Sequence, residues 1–180
     1  MIEEYELEAF WAPMVNAYCG CQTAQPPYMG LSPTKFEQVY QKLNKAGLVV
    51  QLPKHKTPQR DTYQLLFSMR DVEHSQLVDL LESYVNRTSC YYSEAILVIA
   101  TTCLGSSHLW SDLGLPERKV LSEMIRFYFP ELHAKNHNNM RWKRFFYRQL
   151  CESGGDYVCR SPSCEECSSY AECFEPGKAS

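Results

Sequence analysis

Four cysteines near the C-terminus are the residues best suited to chemistry: Cys159, Cys164, Cys167 and Cys173, spaced C-x4-C-x2-C-x5-C. Two thiolates separated by two residues can turn to one face of a tight loop, and the wider gaps let the chain wrap a larger object. The first three follow the C-x4-C-x2-C spacing of plant-type iron–sulfur ligation, although the fourth sits much closer than it does there. Soft thiolates restrict the guest mainly to zinc, copper(I) or an iron–sulfur cluster. Zinc sites usually present two C-x2-C-like pairs well separated in sequence, and here there is one. The spacing therefore favours an iron–sulfur cluster, with a four-cysteine structural zinc site as the rival. Four exposed free thiols form the weakest alternative, because such thiols oxidise.

The segment around these cysteines differs in kind from the rest. Beyond Gly154-Gly155 it carries few large apolar residues and no periodic face. Burial alone cannot offset the entropy of ordering it. Metal ligation can: structural zinc in small peptides contributes about 10–16 kcal/mol at neutral pH, and a cluster could act similarly. Residues 152–180 are accordingly read as a cysteine-rich, metal-binding loop segment, and residues 1–151 as the body that presents it.

That body reads as helical. In 32–47 the apolar Phe36, Val39, Tyr40 and Leu43 recur at helical spacing, with Ser32 as cap, Pro33 in first position and Gly47 at the end. A Pro-containing basic loop, 52–58, follows. Further helices are expected near 71–86 with Asp71 as cap, over 91–104 capped by Ser89, over 116–129 stopped by Pro130, and over 139–151. The run 95–100, Ala-Ile-Leu-Val-Ile-Ala, could form a strand, but its helical neighbours favour a buried helix. No strand pairs joined by Asn-Gly or Asp-Gly turns occur. The fold class expected is all-α: a compact multi-helix domain followed by the cysteine-rich segment.

The 180 residues are 44% apolar and 22% charged, enough to build a core. The net charge of −3 argues against nucleic acid as a partner. No stretch of 18 apolar residues and no basic-then-apolar leader is present, so neither a membrane span nor a secretory signal is expected and a cytoplasmic location is. Nine cysteines, an odd number, in a reducing compartment do not make a disulfide scaffold. Cys103 lies in an apolar helix as a small core residue, and Cys19 and Cys21 form an isolated C-x-C pair. Cys151, His108, and the pair His133 and His137 are weaker metal candidates whose ordinary reading is structural. Arg141, Lys143, Arg144 and Arg148 interleave with aromatics on the last helix. That pattern most simply makes a charged outer face, but beside a cysteine site it could also attract an oxyanion such as molybdate. No phosphate-binding glycine loop, G-x-S-x-G or H-E-x-x-H is present, so no catalytic set emerges and a binding protein is expected rather than an enzyme.

Three stretches together resemble the nitrogen-fixation family NifQ. They are His108-Leu-Trp-Ser-Asp-Leu-Gly-Leu-Pro116, then the 139–151 helix with Arg-Trp-Lys-Arg-Phe-Phe-Tyr, then the four-cysteine motif closed by Phe174. The resemblance covers about residues 94–175. It implies an iron–sulfur protein that carries molybdenum for assembly of the nitrogenase iron–molybdenum cofactor. The ligands it implies are Cys159, Cys164, Cys167 and Cys173. The partners it implies are molybdate, the cofactor scaffold complex and the nitrogenase iron protein. Two other roles fit the residues without the resemblance: a zinc-stabilised helical interaction module, and an electron-transfer or redox-sensing iron–sulfur protein.

Overall fold

In the computed structural model the described residues are 2–154, and every regular element among them is helical. The chain opens with α1 (Ile2–Glu6), passes through a π turn at Leu7–Trp11, and continues as α2 (Ala12–Cys19). The wider π turn carries one extra residue per loop, with Ala12 N–H bonding Leu7 C=O. Phe10 and Trp11 both end fully buried there.

A tight turn at Pro27–Gly30 follows, in which Tyr28 and Met29 both have φ of 59° and Gly30 has φ of 82°. Left-handed backbone costs roughly 1–2 kcal/mol at each non-glycine residue. Here it is held by complete burial of Met29 and by Tyr28 N–H donating to Tyr18 Oη at 2.8 Å. Gly30 has a second reason to be glycine: a Cβ there would lie 2.5 Å from Thr101 Oγ1.

Next come α3 (Pro33–Lys45), α4 (Pro58–Ser68), α5 (Asp71–Tyr84) and α6 (Tyr92–Cys103). α3 matches its sequence reading closely. Ser32 Oγ accepts from Lys35 N–H, Pro33 leads, Gly47 takes a left-handed φ of 71°, and the four expected apolar residues are buried. α4 was not expected. Its start is marked by Thr57, whose Oγ1 accepts from Arg60 N–H, followed by Pro58. Its apolar pattern is irregular, with Phe67 buried while Leu65 and Leu66 face outward. The run 95–100 is helical and almost wholly buried, as expected.

The turn that leads into α6 is tied down from far away in sequence, and α6 itself starts at Tyr92 without a side-chain cap. Ser89 points its hydroxyl back to Asn86 C=O, and the free N–H groups of Cys90 and Tyr91 donate to Glu6 at 2.8 and 3.1 Å. Tyr128 Oη adds a third bond to Glu6, at 2.7 Å, and itself accepts from Trp11 Nε1. α5 likewise starts at Asp71 without a side-chain cap, so Asp71 is its first residue.

The chain then forms α7 (Leu109–Leu113), α8 (Arg118–Tyr128), α9 (Pro130–Lys135) and α10 (Trp142–Gly154). Pro130 ends one helix and begins the next, because its missing N–H is harmless in a first turn. α10 extends across the boundary expected at 151–152. No helix among the described residues is long and apolar enough to cross a membrane.

Two measurements check this account. Glu6→Ala should lower stability by about 3 kcal/mol in urea unfolding, since two buried donors and one part-buried donor lose their acceptor. The histidines set a pH window. Burial lowers the pKa of His74, which contacts Thr101 Oγ1 at 3.0 Å, and also that of His55. The unfolded chain then binds protons more readily than the folded one. The histidine contribution to stability should be level above about pH 6.5 and fall as pH drops through that value. A His74→Gln variant should show a smaller fall.

Candidate metal centre

All four cysteines of the expected centre, Cys159, Cys164, Cys167 and Cys173, lie outside the described residues. What the structure describes is the platform they are attached to. That platform is α10, and two polar locks hold it to the body.

The first lock is an ion pair. Lys143 Nζ sits 2.6 Å from Asp112 Oδ2 and 2.8 Å from Gly105 C=O, while Ser107 N–H also donates to Asp112. The side chains are 16% and 4% exposed, so the pair is largely desolvated and needs its full set of hydrogen bonds. Gly105 leaves room for it: a Cβ there would lie 2.6 Å from Asp112 Oδ2. The second lock joins α5 to α10. Arg70 pairs with Glu73, Tyr147 Oη donates to the same carboxylate, and Arg70 Nη1 bonds Leu104 C=O at 2.6 Å. Burial, the neighbouring Cys103 and the adjacent carboxylate push the Tyr147 phenol well above its usual range, and its oxygen also accepts from Arg70 Nη2 at 3.3 Å. Aromatic contacts complete the seat, with Trp142 against His133 and its indole N–H bonded to Ser122 Oγ.

These contacts redistribute the positive face expected on α10. Lys143 turns inward onto Asp112, and Arg148 pairs with Glu152 on the same helix. Lys143 and Arg148 are therefore each paired with a carboxylate.

The weaker candidates fall where a structural role would put them. Cys103 is buried in α6, and desolvation pushes its thiol up to about 12. Cys19 is buried as well and raised to about 11. Cys21 is exposed at φ of 58°, and Cys90 is exposed near Glu6. Cys151 is half-buried in the last turns of α10. None of these five is in a disulfide. His108 precedes α7 and offers its carbonyl to Asp112 N–H. His133 lies in α9, where a loop was expected, and His137 falls beyond its end. Among the described residues no three His, Cys, Asp or Glu side chains are grouped to hold a metal ion.

The sequence reading missed both locks. Asp112, Glu73 and Arg70 look like ordinary surface charges, and only the topology brings them to α10. One available signal was Tyr147 inside an otherwise apolar helical face, since a buried phenol needs a partner.

With this geometry in place, the comparison with known proteins decides the family. The NifQ family model matches residues 10–175. The chain belongs to the NifQ family. Protein NifQ of Azotobacter vinelandii is 56% identical over 77 residues, which is 43% of this chain and 40% of that protein. Protein NifQ of Rhodobacter capsulatus is 49% identical over 79 residues, 44% of each. Protein NifQ of Klebsiella pneumoniae is 36% identical over 151 residues, 83% of this chain and 87% of that protein. The chain thus spans less than half the length of the first two relatives and most of the third. No solved structure matches the chain. The family match begins at residue 10, so the helical body belongs to it as well as the resembling half.

The first lock can be tested by a double-mutant cycle on Lys143→Met and Asp112→Asn. Lys143→Met alone should cost about 3–5 kcal/mol, because it strands a buried carboxylate. The double variant should recover part of that, with a coupling of about 1–3 kcal/mol in urea unfolding.

Proposed function

We propose that this chain is a cytoplasmic metallocluster carrier, not a turnover enzyme, that supplies molybdenum for assembly of the nitrogenase iron–molybdenum cofactor. The observation that carries the reading is the reach of the family match. It runs to residue 175 and so includes all four cysteines of the C-x4-C-x2-C-x5-C motif. The donor set suits the cargo: four thiolates bind iron–sulfur clusters, and sulfide of such a cluster is a soft ligand for a thiophilic metal such as molybdenum.

On this reading the body's residues position and the tail's residues bind. Cys159, Cys164, Cys167 and Cys173 hold the cluster. α10 fixes where the motif leaves the body, because Lys143 and Tyr147 tie it to Asp112 and Glu73. The receivers are the cofactor scaffold complex and the nitrogenase iron protein, and molybdate is the source of the metal.

The test is an anaerobic preparation from iron-replete cells grown with molybdate, analysed for iron, acid-labile sulfide and molybdenum. All three should be present, and Cys→Ala at each motif position should lose metal while the far-ultraviolet helical signal stays. Stoichiometric zinc without acid-labile sulfide would replace this reading with the zinc-stabilised module. Iron and sulfide with a reversible potential but no molybdenum would replace it with the electron-transfer protein.

A further inference from the structure

Arg60, in the first turn of α4, carries a buried charge that no carboxylate among the described residues meets. The residue is 3% exposed. Its Nη2 donates to Tyr18 C=O at 2.5 Å, and its guanidinium lies 3.4 Å from the centre of the Tyr18 ring. Its Nη1 has no hydrogen-bond partner among the described residues. Buried cations are ordinarily paired, because an isolated one is costly. The groups around this one are the phenol of Tyr18, the imidazole of His55 and the thiols of Cys19 and Cys21. Burial raises Tyr18 to about 12 and Cys19 to about 11, against the pull of the guanidinium. Burial and the guanidinium together lower His55. None of these three supplies a negative charge near neutral pH.

The remaining group is Cys21, which is exposed. Arg60 Nη2 also donates to its Sγ, at 3.9 Å. The end of α2 holds the sulfur there. Cys21 N–H bonds Tyr18 C=O, Gln22 N–H bonds Ala17 C=O, and Cys21 takes a left-handed φ of 58°, which glycine more often supplies at a helix end. The carbonyl of Tyr18 thus receives both the turn and the guanidinium, which fixes Arg60 beside Cys21. The negative end of the α2 dipole lies here too, so the attraction of the site for anions rests on Arg60. An accessible sulfur backed by a desolvated cation is the setting in which thiols react. Cys90 is the opposite case in the same chain. It too is exposed, but burial, Glu6 and Glu3 push its thiol up.

We propose that Cys21 is a thiolation site for small anionic disulfides, with the field of Arg60 drawing in the reagent and stabilising the exchange. The Cys21 thiol gives its proton to solvent and its sulfur attacks one sulfur of the disulfide. A new S–S bond joins Cys21 to one half of the reagent, the old S–S bond breaks, and the other half leaves as a thiolate with the electron pair. Cys21 is oxidised and the departing half is reduced. Negative charge is spread over three sulfurs as the bonds exchange, next to the guanidinium. Burial keeps Cys19 protonated, so it does not compete as a resolving thiol. The site requires no particular metal, and its failure would leave the carrier reading untouched.

Charged reagents test it on the anaerobically prepared full chain. In low salt the protein is exposed to oxidised glutathione, a net anion, and in parallel to cystamine, a dication. Adducts on the peptides that contain Cys21 and Cys90 are followed by mass spectrometry. The ratio of the glutathione rate to the cystamine rate should be several-fold higher at Cys21 than at Cys90, and added salt should shrink the difference. Arg60→Met with unchanged helical content should bring the two ratios together. A wild-type ratio at Cys21 no greater than that at Cys90 would overturn the proposal. So would a difference that ignores salt, a result that decides even where Arg60→Met fails to fold. A preference for the anion that survives in a folded Arg60→Met protein would overturn it as well.

Discussion

The carboxylate of Glu6 lies fully buried with three neutral donors, and much of the helical body is arranged around meeting its needs. A buried charge without this solvation would be very costly. The donors come from the start of α6 and from Tyr128 at the end of α8, so one side chain ties together elements more than eighty residues apart. The positive end of the α6 dipole also faces the carboxylate, which suits an anion at that position. The arrangement anchors the turn that leads into α6 to the first turns of the chain. The π turn directly after Glu6 then aims Phe10 and Trp11 inward, and Trp11 returns a hydrogen bond to Tyr128.

α6 in turn supports the platform for the cysteine motif. Its C-terminal end presents Leu104 C=O to Arg70 and Gly105 C=O to Lys143. Both polar locks on α10 therefore rest against the turn that closes α6. Any change that loosens Glu6 should be felt at α10 through α6, without touching a residue of either lock. The coupling has a physical route: one buried helix, with a distant carboxylate holding the turn just before its start and two cations gripping its end.

Much of this was legible in the sequence. The spacing of Phe36, Val39, Tyr40 and Leu43, with Ser32 and Pro33 before them, located α3 because every signal was local. Ser89 misled for the opposite reason. It stands near where a cap should stand, but its hydroxyl donates to Asn86 C=O, the helix starts only at Tyr92, and the turn between is held by Glu6, which nothing in a single sequence announces. α4 escaped because Leu65 and Leu66 face outward and spoil its periodicity. α9 escaped because Pro130 reads as a stop when it is also a start. The cysteine motif lies outside the described residues, and its reading rests on four like residues in a short span of sequence. The locks on α10 were not legible, because an ion pair between residues 112 and 143 depends on topology alone.

The placement of the other cysteines bears on how such a motif could be selective. A thiol binds metal as thiolate, and burial opposes ionisation. Cys19 and Cys103 are withheld in this way, at about 11 and about 12. Cys21 and Cys90 are accessible, but among the described residues neither belongs to a group that could hold a metal ion. A thiophilic metal meeting this chain therefore finds isolated or protonated sulfurs in the body. Grouped thiols occur, in sequence, after α10. The core keeps some of the nine cysteines inert by the same desolvation that makes them good packing residues.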